Sequence, residues 1–268
     1  MSVRVCVAGA TGWTGRPVAA AVIEAPDLEL TSAVSRSAAG SDLGVAWGQD
    51  PIGVPVHGRL AEALDDVDVV VDYTSHETIR AHTILAIEHG VHVVVGSSGL
   101  SAHDLAEIDE VARRARVGVF AGGNFSLGAT VLTQAALLAA QYLRTWEIVD
   151  YASQHKPDAP SGTARELAER LAEHGPPTVD RPVADTGGQA EARGATVAGT
   201  QVHSLRLPSY ELATEVIFGG ADERLVIRHE SGHSAEKFVA GTLHAIRSVP
   251  GVIGVVRGLD PDALAQQT

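Results

Sequence analysis

Lys156 sits in the run His155-Lys156-Pro157-Asp158-Ala159-Pro160-Ser161-Gly162-Thr163-Ala164, where an ammonium precedes a proline-bearing turn and then hydroxyls and amides at a helix start. That order of groups suits a carboxylate ligand, which an ammonium and free first-turn amides can share. Ser161 or Thr163 acting as a helix N-cap explains the same residues, and the two readings are compatible. Lys156 and His155 are also side chains able to pass a proton to a reacting atom. A second constellation, Gly9-Ala10-Thr11-Gly12-Trp13-Thr14-Gly15, follows the apolar run Val3 to Ala8 and precedes a helix-forming stretch. Glycines between a strand and a helix allow a tight turn and bring backbone amides close to a pyrophosphate, which the positive helix end stabilises further. The spacing is GxxGxxG rather than GxGxxG, so position after the first strand carries the reading.

The end of the second apolar run reads Ser35-Arg36-Ser37, with no carboxylate for a ribose hydroxyl and one guanidinium for a 2′-phosphate. NADPH is therefore the expected cofactor, with NADH as the alternative; a solvated surface arginine is the plainer reading of Arg36 alone. Asp72-Tyr73-Thr74, Gly96-Ser97-Ser98-Gly99 and Gly123-Asn124-Phe125-Ser126 each follow another strand-like run, where open α/β sheets bind ligands. The expected cofactor contacts are thus Gly9, Thr11, Gly12, Trp13, Thr14, Gly15, Arg36, Tyr73, Thr74, Gly96, Ser98, Gly123, Asn124 and Phe125. His229-Glu230-Ser231-Gly232-His233 fits the HExxH zinc pattern literally, but a strand-like run precedes it and Ser-Gly breaks it, so no metal site is expected. A short-chain dehydrogenase would need a Tyr-x-x-x-Lys pair; Tyr151 is followed at that spacing by His155.

These residues need elements to hold them. Val3 to Ala8, Leu28 to Val34, Val67 to Asp72, Val91 to Val95 and Val117 to Ala121 are nearly continuous apolar runs, as in parallel strands buried on both faces. Helical stretches at 16–25, 77–89 and 103–114 alternate with them, which predicts an α/β, Rossmann-like, doubly wound parallel sheet. After Asn124 the texture changes to a long helix over 127–143, a strand over 145–153, a helix over 163–174, a surface loop over 175–200, strands at 202–207, 214–218 and 224–229, and a last helix over 235–249. That order predicts a second α+β domain with a mixed sheet.

The chain of 268 residues carries 20 basic and 33 acidic residues, a net charge of −13 that would repel nucleic acid and anionic membrane. Its single cysteine, Cys6, excludes a disulfide framework, and the start lacks the charged and apolar parts of a signal peptide, so a cytoplasmic protein is expected.

The Lys156 to Ala164 run resembles the signature of the dihydrodipicolinate reductases. The resemblance spans nearly the whole chain and takes in, in order, the early glycine loop, Asp72-Tyr73-Thr74, the Gly96 to Gly99 loop and Asn124-Phe125-Ser126-Leu127-Gly128. It implies a nucleotide domain of residues 1–124 and 234–268, a substrate and oligomerisation domain of 125–233, and a homotetramer built through the second sheet. It also implies hydride transfer across an interdomain cleft to a small cyclic imine carboxylate such as 4-hydroxy-tetrahydrodipicolinate, in lysine biosynthesis. By the same resemblance Lys156, Ser161, Gly162 and Thr163 hold a substrate carboxylate, with Ser153 beside them. Where the family carries two adjacent histidines shortly before the lysine, one a proton donor, this chain has Ala152 and Ser153. Lys156, His155 or water then remain as proton sources. Residues 206–213 replace a glycine-rich stretch ending in histidine, and 231–238 lack the family's arginine. Two alternatives stay open: a paralogue reducing another imine, and a non-catalytic NADPH-binding or sensing protein.

Overall fold

Valine-rich segments with no polar alternation make the core strands of the first part of the chain. The computed structural model describes residues 2–97 and 99–259. Within them the chain runs β1 (Val3–Ala8), α1 (Gly15–Glu24), β2 (Leu28–Val34), α2 (Leu43–Ala46), β3 (Val56–His57), β4 (Val69–Asp72), α3 (Ile79–Glu88), β5 (His92–Val95), α4 (Ala102–Ala115) and β6 (Gly118–Ala121). It continues with α5 (Leu127–Ala140), β7 (Thr145–Ala152), α6 (Gly162–Ala172), β8 (Ala195–Val197), β9 (Thr200–Arg206), β10 (Leu212–Gly219), β11 (Arg224–Ser231), α7 (Val239–Ser248) and β12 (Gly254–Arg257). By density of contacts it divides into two units, one reaching Leu127 and resuming at Ala235, the other Gly128–Ser234.

The first unit is a seven-stranded parallel sheet in the order β12-β6-β5-β4-β1-β2-β3. Side chains alternate across a strand, so β1 sends Val5 and Val7 into the core under α1 and α7, and Cys6 and Ala8 into the core under α3 and α4. Both faces are dry, which is why the strands read as unbroken apolar runs. The strand order reverses beside β1, placing β1 and β4 together with their carboxyl ends at the switch point where such sheets bind ligands.

The second unit is a mixed five-stranded sheet, β11-β10-β7-β9-β8, in which β7 and β9 are parallel and the other neighbours antiparallel. Here burial alternates along the strand: Trp146, Ile148, Asp150 and Ala152 of β7 are buried, and Glu147, Val149 and Tyr151 between them only partly so. The inward set packs on Leu132 and Ala136 of α5 and on Leu167 and Leu171 of α6.

Most expected elements differ only at their ends, where assignments fray. Three corrections go further. Residues 175–200 are not featureless: they carry two 3-10 turns and β8, which pairs with β9. The expected helix over 235–249 starts as a 3-10 turn, Ala235–Phe238, before α7. The short α2 and β3 and the glycine-led β12 have no counterpart in the hydrophobic pattern, because two to four residues show no period. No described helix is long and apolar enough to cross a membrane.

Candidate active site

The glycine loop is shaped by the strand next to it. Gly9 has φ +85°, and a Cβ there would lie 2.6 Å from the Tyr73 carbonyl oxygen, so the first turn after β1 is closed to any side chain. Its amide donates to the Val34 carbonyl, and Gly12 donates back to Gly9, fixing the loop between the ends of β1 and β2. Along this loop lies a cleft of about 660 Å³ lined by Gly9, Thr11, Gly12, Ser35, Arg36, Ser37, Arg59, Tyr73, Thr74 and His82, among others. The volume suits a small-molecule ligand held lengthwise.

Hydroxyls and guanidiniums dominate its far end. Thr11 Oγ1 and Ser35 Oγ are 2.7 Å apart, and Ser35 Oγ is 3.2 Å from Ser37 Oγ. Ser35 donates its amide to the His57 carbonyl and Gly40 donates to Val56, so the Arg36 turn and the β3 end that carries Arg59 are stitched together by backbone bonds. Among the described residues no carboxylate lines this cleft and none pairs with Arg36 or Arg59. In a chain of net charge −13 that end is a local concentration of positive charge.

The near end rests on a buried carboxylate. Asp72 is fully buried; one oxygen accepts from the Thr74 amide at 2.8 Å and from the Thr74 hydroxyl at 2.5 Å, and the other lies 2.7 Å from His82 Nδ1. This bracing sets the turn after β4. Burial pushes the Tyr73 phenol up, with a 2.6 Å hydrogen bond to Thr242 opposing it only in part.

Of the expected cofactor contacts, Gly9, Thr11, Gly12, Arg36, Tyr73 and Thr74 line the cleft. Trp13, Thr14, Gly15, Gly96, Gly123, Asn124 and Phe125 do not, and Ser98 lies outside the described residues. Phe125 is 1% exposed, its ring a core residue. Gly96 acts by packing: a Cβ there would fall on the Tyr73 ring. Trp13 is exposed and meets Phe238 edge-on at 6.1 Å. Arg59, His82 and Thr78 line the cleft without having been expected there. Arg59 comes one residue beyond the two-residue strand β3, Val56–His57, which is too short to show a period in the sequence.

In the second unit the Lys156 to Thr163 run is held from below. Asp150 is fully buried, and its Oδ2 accepts from the Ser161 amide at 2.8 Å, from Ser204 Oγ at 3.1 Å and from Arg206 at 2.8 Å. Arg206 also donates to the Asp158 carbonyl at 2.7 Å, tying the turn to β9. Ser161 is the N-cap of α6, its hydroxyl accepting from the Ala164 amide at 3.2 Å. The Ser161 amide is thus engaged by Asp150, while its hydroxyl, an acceptor in this cap, keeps an O–H donor. Gly162 and Thr163 keep first-turn amides that a helix leaves without intrahelical acceptors. Lys156 lies 2.7 Å from Asp158. Burial alone pushes the Asp158 carboxyl up, but the hydrogen bond and charge of Lys156, with Arg206 behind, hold it below its usual range. His155 is exposed, its ring 3.3 Å from the Gln154 amide group, and its backbone amide points at Ser153 Oγ at 3.4 Å. Ala152 is fully buried and Ser153 partly. His229 lies in β11 and His233 beyond its end, so the HExxH residues share no helix face.

Residues 3–125 match the family model for the dihydrodipicolinate reductase N-terminus, and residues 128–259 match that for its C-terminus. The 4-hydroxy-tetrahydrodipicolinate reductase of Moorella thermoacetica is 38% identical over 264 residues, 97% of each chain. That of Thermosynechococcus vestitus is 37% identical over 265 residues, 96% of each chain. The solved structure of dipicolinate-bound dihydrodipicolinate reductase from Paenisporosarcina sp. TG-14 superposes with a TM-score of 0.77 at 29% identity, covering 97% of this chain and 98% of that one. GenD2 from gentamicin A biosynthesis, solved with NAD, shares the fold at a TM-score of 0.65 and 18% identity, covering 92% of this chain and 86% of its own. With both halves matched in chain order, the chain belongs to the dihydrodipicolinate reductase family.

Proposed function

We propose that this protein is an NADPH-dependent reductase that adds hydride to a small cyclic imine carboxylate of the 4-hydroxy-tetrahydrodipicolinate type. The observation that carries the reading is the turn from Lys156 to Thr163, braced by Asp150 and Arg206 and leading into the first-turn amides of α6. The bracing holds the turn to one shape, so a planar carboxylate meets first-turn amides already in place, with the Lys156 ammonium carried on the same turn. The relative solved with dipicolinate supports a dicarboxylate of similar shape as ligand.

The glycine loop and the Arg36 and Arg59 end fit a dinucleotide: a Gly9 side chain would block the close backbone approach that a pyrophosphate needs, and the unpaired guanidiniums suit a 2′-phosphate. When bound, the nicotinamide supplies the hydride. Lys156 and the α6 amides would orient the substrate, and Asp72 with His82 keeps the turn at Tyr73 and Thr74 in shape along the cleft that would hold the cofactor. Exposed Leu225 and Val226 on β11 support the assembly of this sheet against other copies, a homotetramer in the family reading.

The test is NADPH oxidation with freshly generated substrate beside a panel of cyclic imines. Lys156→Ala is expected to lose turnover and keep NADPH affinity; unchanged turnover sinks the reading. The buried Ala152 favours a second reading, a non-catalytic NADPH-binding protein, which tight cofactor binding with no oxidation of any imine would support.

A further inference from the structure

We propose that His233, oriented by Glu211, is the general acid of this reductase. The proposal rests on the reductase reading above. Reducing an imine moves the C=N π pair onto nitrogen as hydride from reduced nicotinamide makes the new C–H bond. A proton must meet that pair. The His233 Nε2–H bond breaks, its proton makes the N–H bond, and the imidazole is left neutral to regain a proton from water.

Placement comes from strand register. Leu212 of β10 pairs with Ala152 on one side and Ser231 on the other. One step further, the Ser153 amide donates to the Glu211 carbonyl at 3.3 Å. Ser153 in turn accepts from the Lys156 amide at 3.0 Å. Glu211, Ser153 and the residues after Ser231 therefore gather at the sheet end from which the carboxylate anchor departs. There, Glu211 Oε2 lies 2.9 Å from His233 Nδ1. A carboxylate on Nδ1 fixes the ring and leaves Nε2 as the outward donor. The ring is 84% exposed, free to meet a ligand from solvent.

The other imidazoles at this end are worse placed. His155 has an amide neighbour and, among the described residues, no carboxylate. His229 lies within β11 opposite Thr214, its ring packed where a Gly128 side chain would be. Lys156 is engaged with Asp158 and, in this reading, with the substrate carboxylate.

The experiment compares the full-length wild type with H233Q, H233A, E211Q, H155Q and H229Q. NADPH oxidation is measured with fresh 4-hydroxy-tetrahydrodipicolinate and the imine panel, and binding of NADPH and pyridine-2,6-dicarboxylate by calorimetry. H233Q is expected to lower kcat roughly 100-fold or more with both ligands still bound. E211Q should fall between wild type and H233Q, and added imidazole should restore part of the H233A rate. Full turnover in H233Q overturns the assignment alone, as does a loss confined to H155Q or H229Q, or a loss of dicarboxylate binding that accounts for the fall. A wild type that oxidises no NADPH with any imine overturns the reductase reading and this inference with it.

Discussion

Arg59 and Arg36 reach the same cleft from different strands, and their chemistry separates two cofactors that differ by one phosphate. A guanidinium that meets a 2′-phosphate loses its partner when NADPH is exchanged for NADH, whereas one that stacks on adenine does not notice the change. Replacing either arginine with alanine should weaken NADPH binding roughly tenfold or more and leave NADH binding nearly unchanged, as read by fluorescence titration. An equal loss for both cofactors would assign the arginine to the adenine face. Arg36 was legible as a cleft residue because it comes just after the second strand, where dinucleotide-binding folds place their ribose contact. Arg59 was hidden behind β3, whose two residues carry no period, and its place became visible only through the backbone bonds from Ser35 and Gly40. The His233 and Glu211 pair was hidden for a related reason: the zinc-like spacing drew attention to His229 with His233, while the real neighbour came from the strand beside it.

At the scale of elements, the parallel strands were legible because burial on both faces leaves no room for polar residues, as Val69 to Val71 show. Loop roles were less so. Gly96 read as part of a ligand-binding turn after β5, and the sequence did not show that its backbone sits under the Tyr73 ring, which is held at its far end by Thr242. Gly96→Ala should force the ring aside at a cost of about 1 to 3 kcal/mol, the usual range for overpacking. Because Tyr73 lines the cleft and its carbonyl packs against Gly9, NADPH affinity should fall together with the melting temperature. A variant that melts earlier but binds NADPH as before would show that the turn after β4 adjusts independently of the glycine loop.

For the molecule as a whole, the proposed function assigns two ligands to two different units. Under that proposal a chain of net charge −13 would take an anionic cofactor and an anionic substrate only where local groups offset the overall repulsion: Arg36 and Arg59 in one unit, Lys156 and the α6 amides in the other. A ligand that binds only the folded state stabilises it by about 2.7 kcal/mol at a hundred times its Kd, and the amides it touches open less often. Hydrogen exchange should therefore separate the two ligands by address. NADPH should slow exchange across Gly9 to Gly15, Ser35 to Gly40 and Tyr73 to Thr78. A planar dicarboxylate should slow it from Lys156 to Ala164, including the amides of Gly162 and Thr163, and Lys156→Ala should abolish that second pattern while sparing the first. Protection by the dicarboxylate at the glycine loop instead would move the anion site to the first unit and leave the Asp150 and Arg206 bracing a purely structural feature of α6.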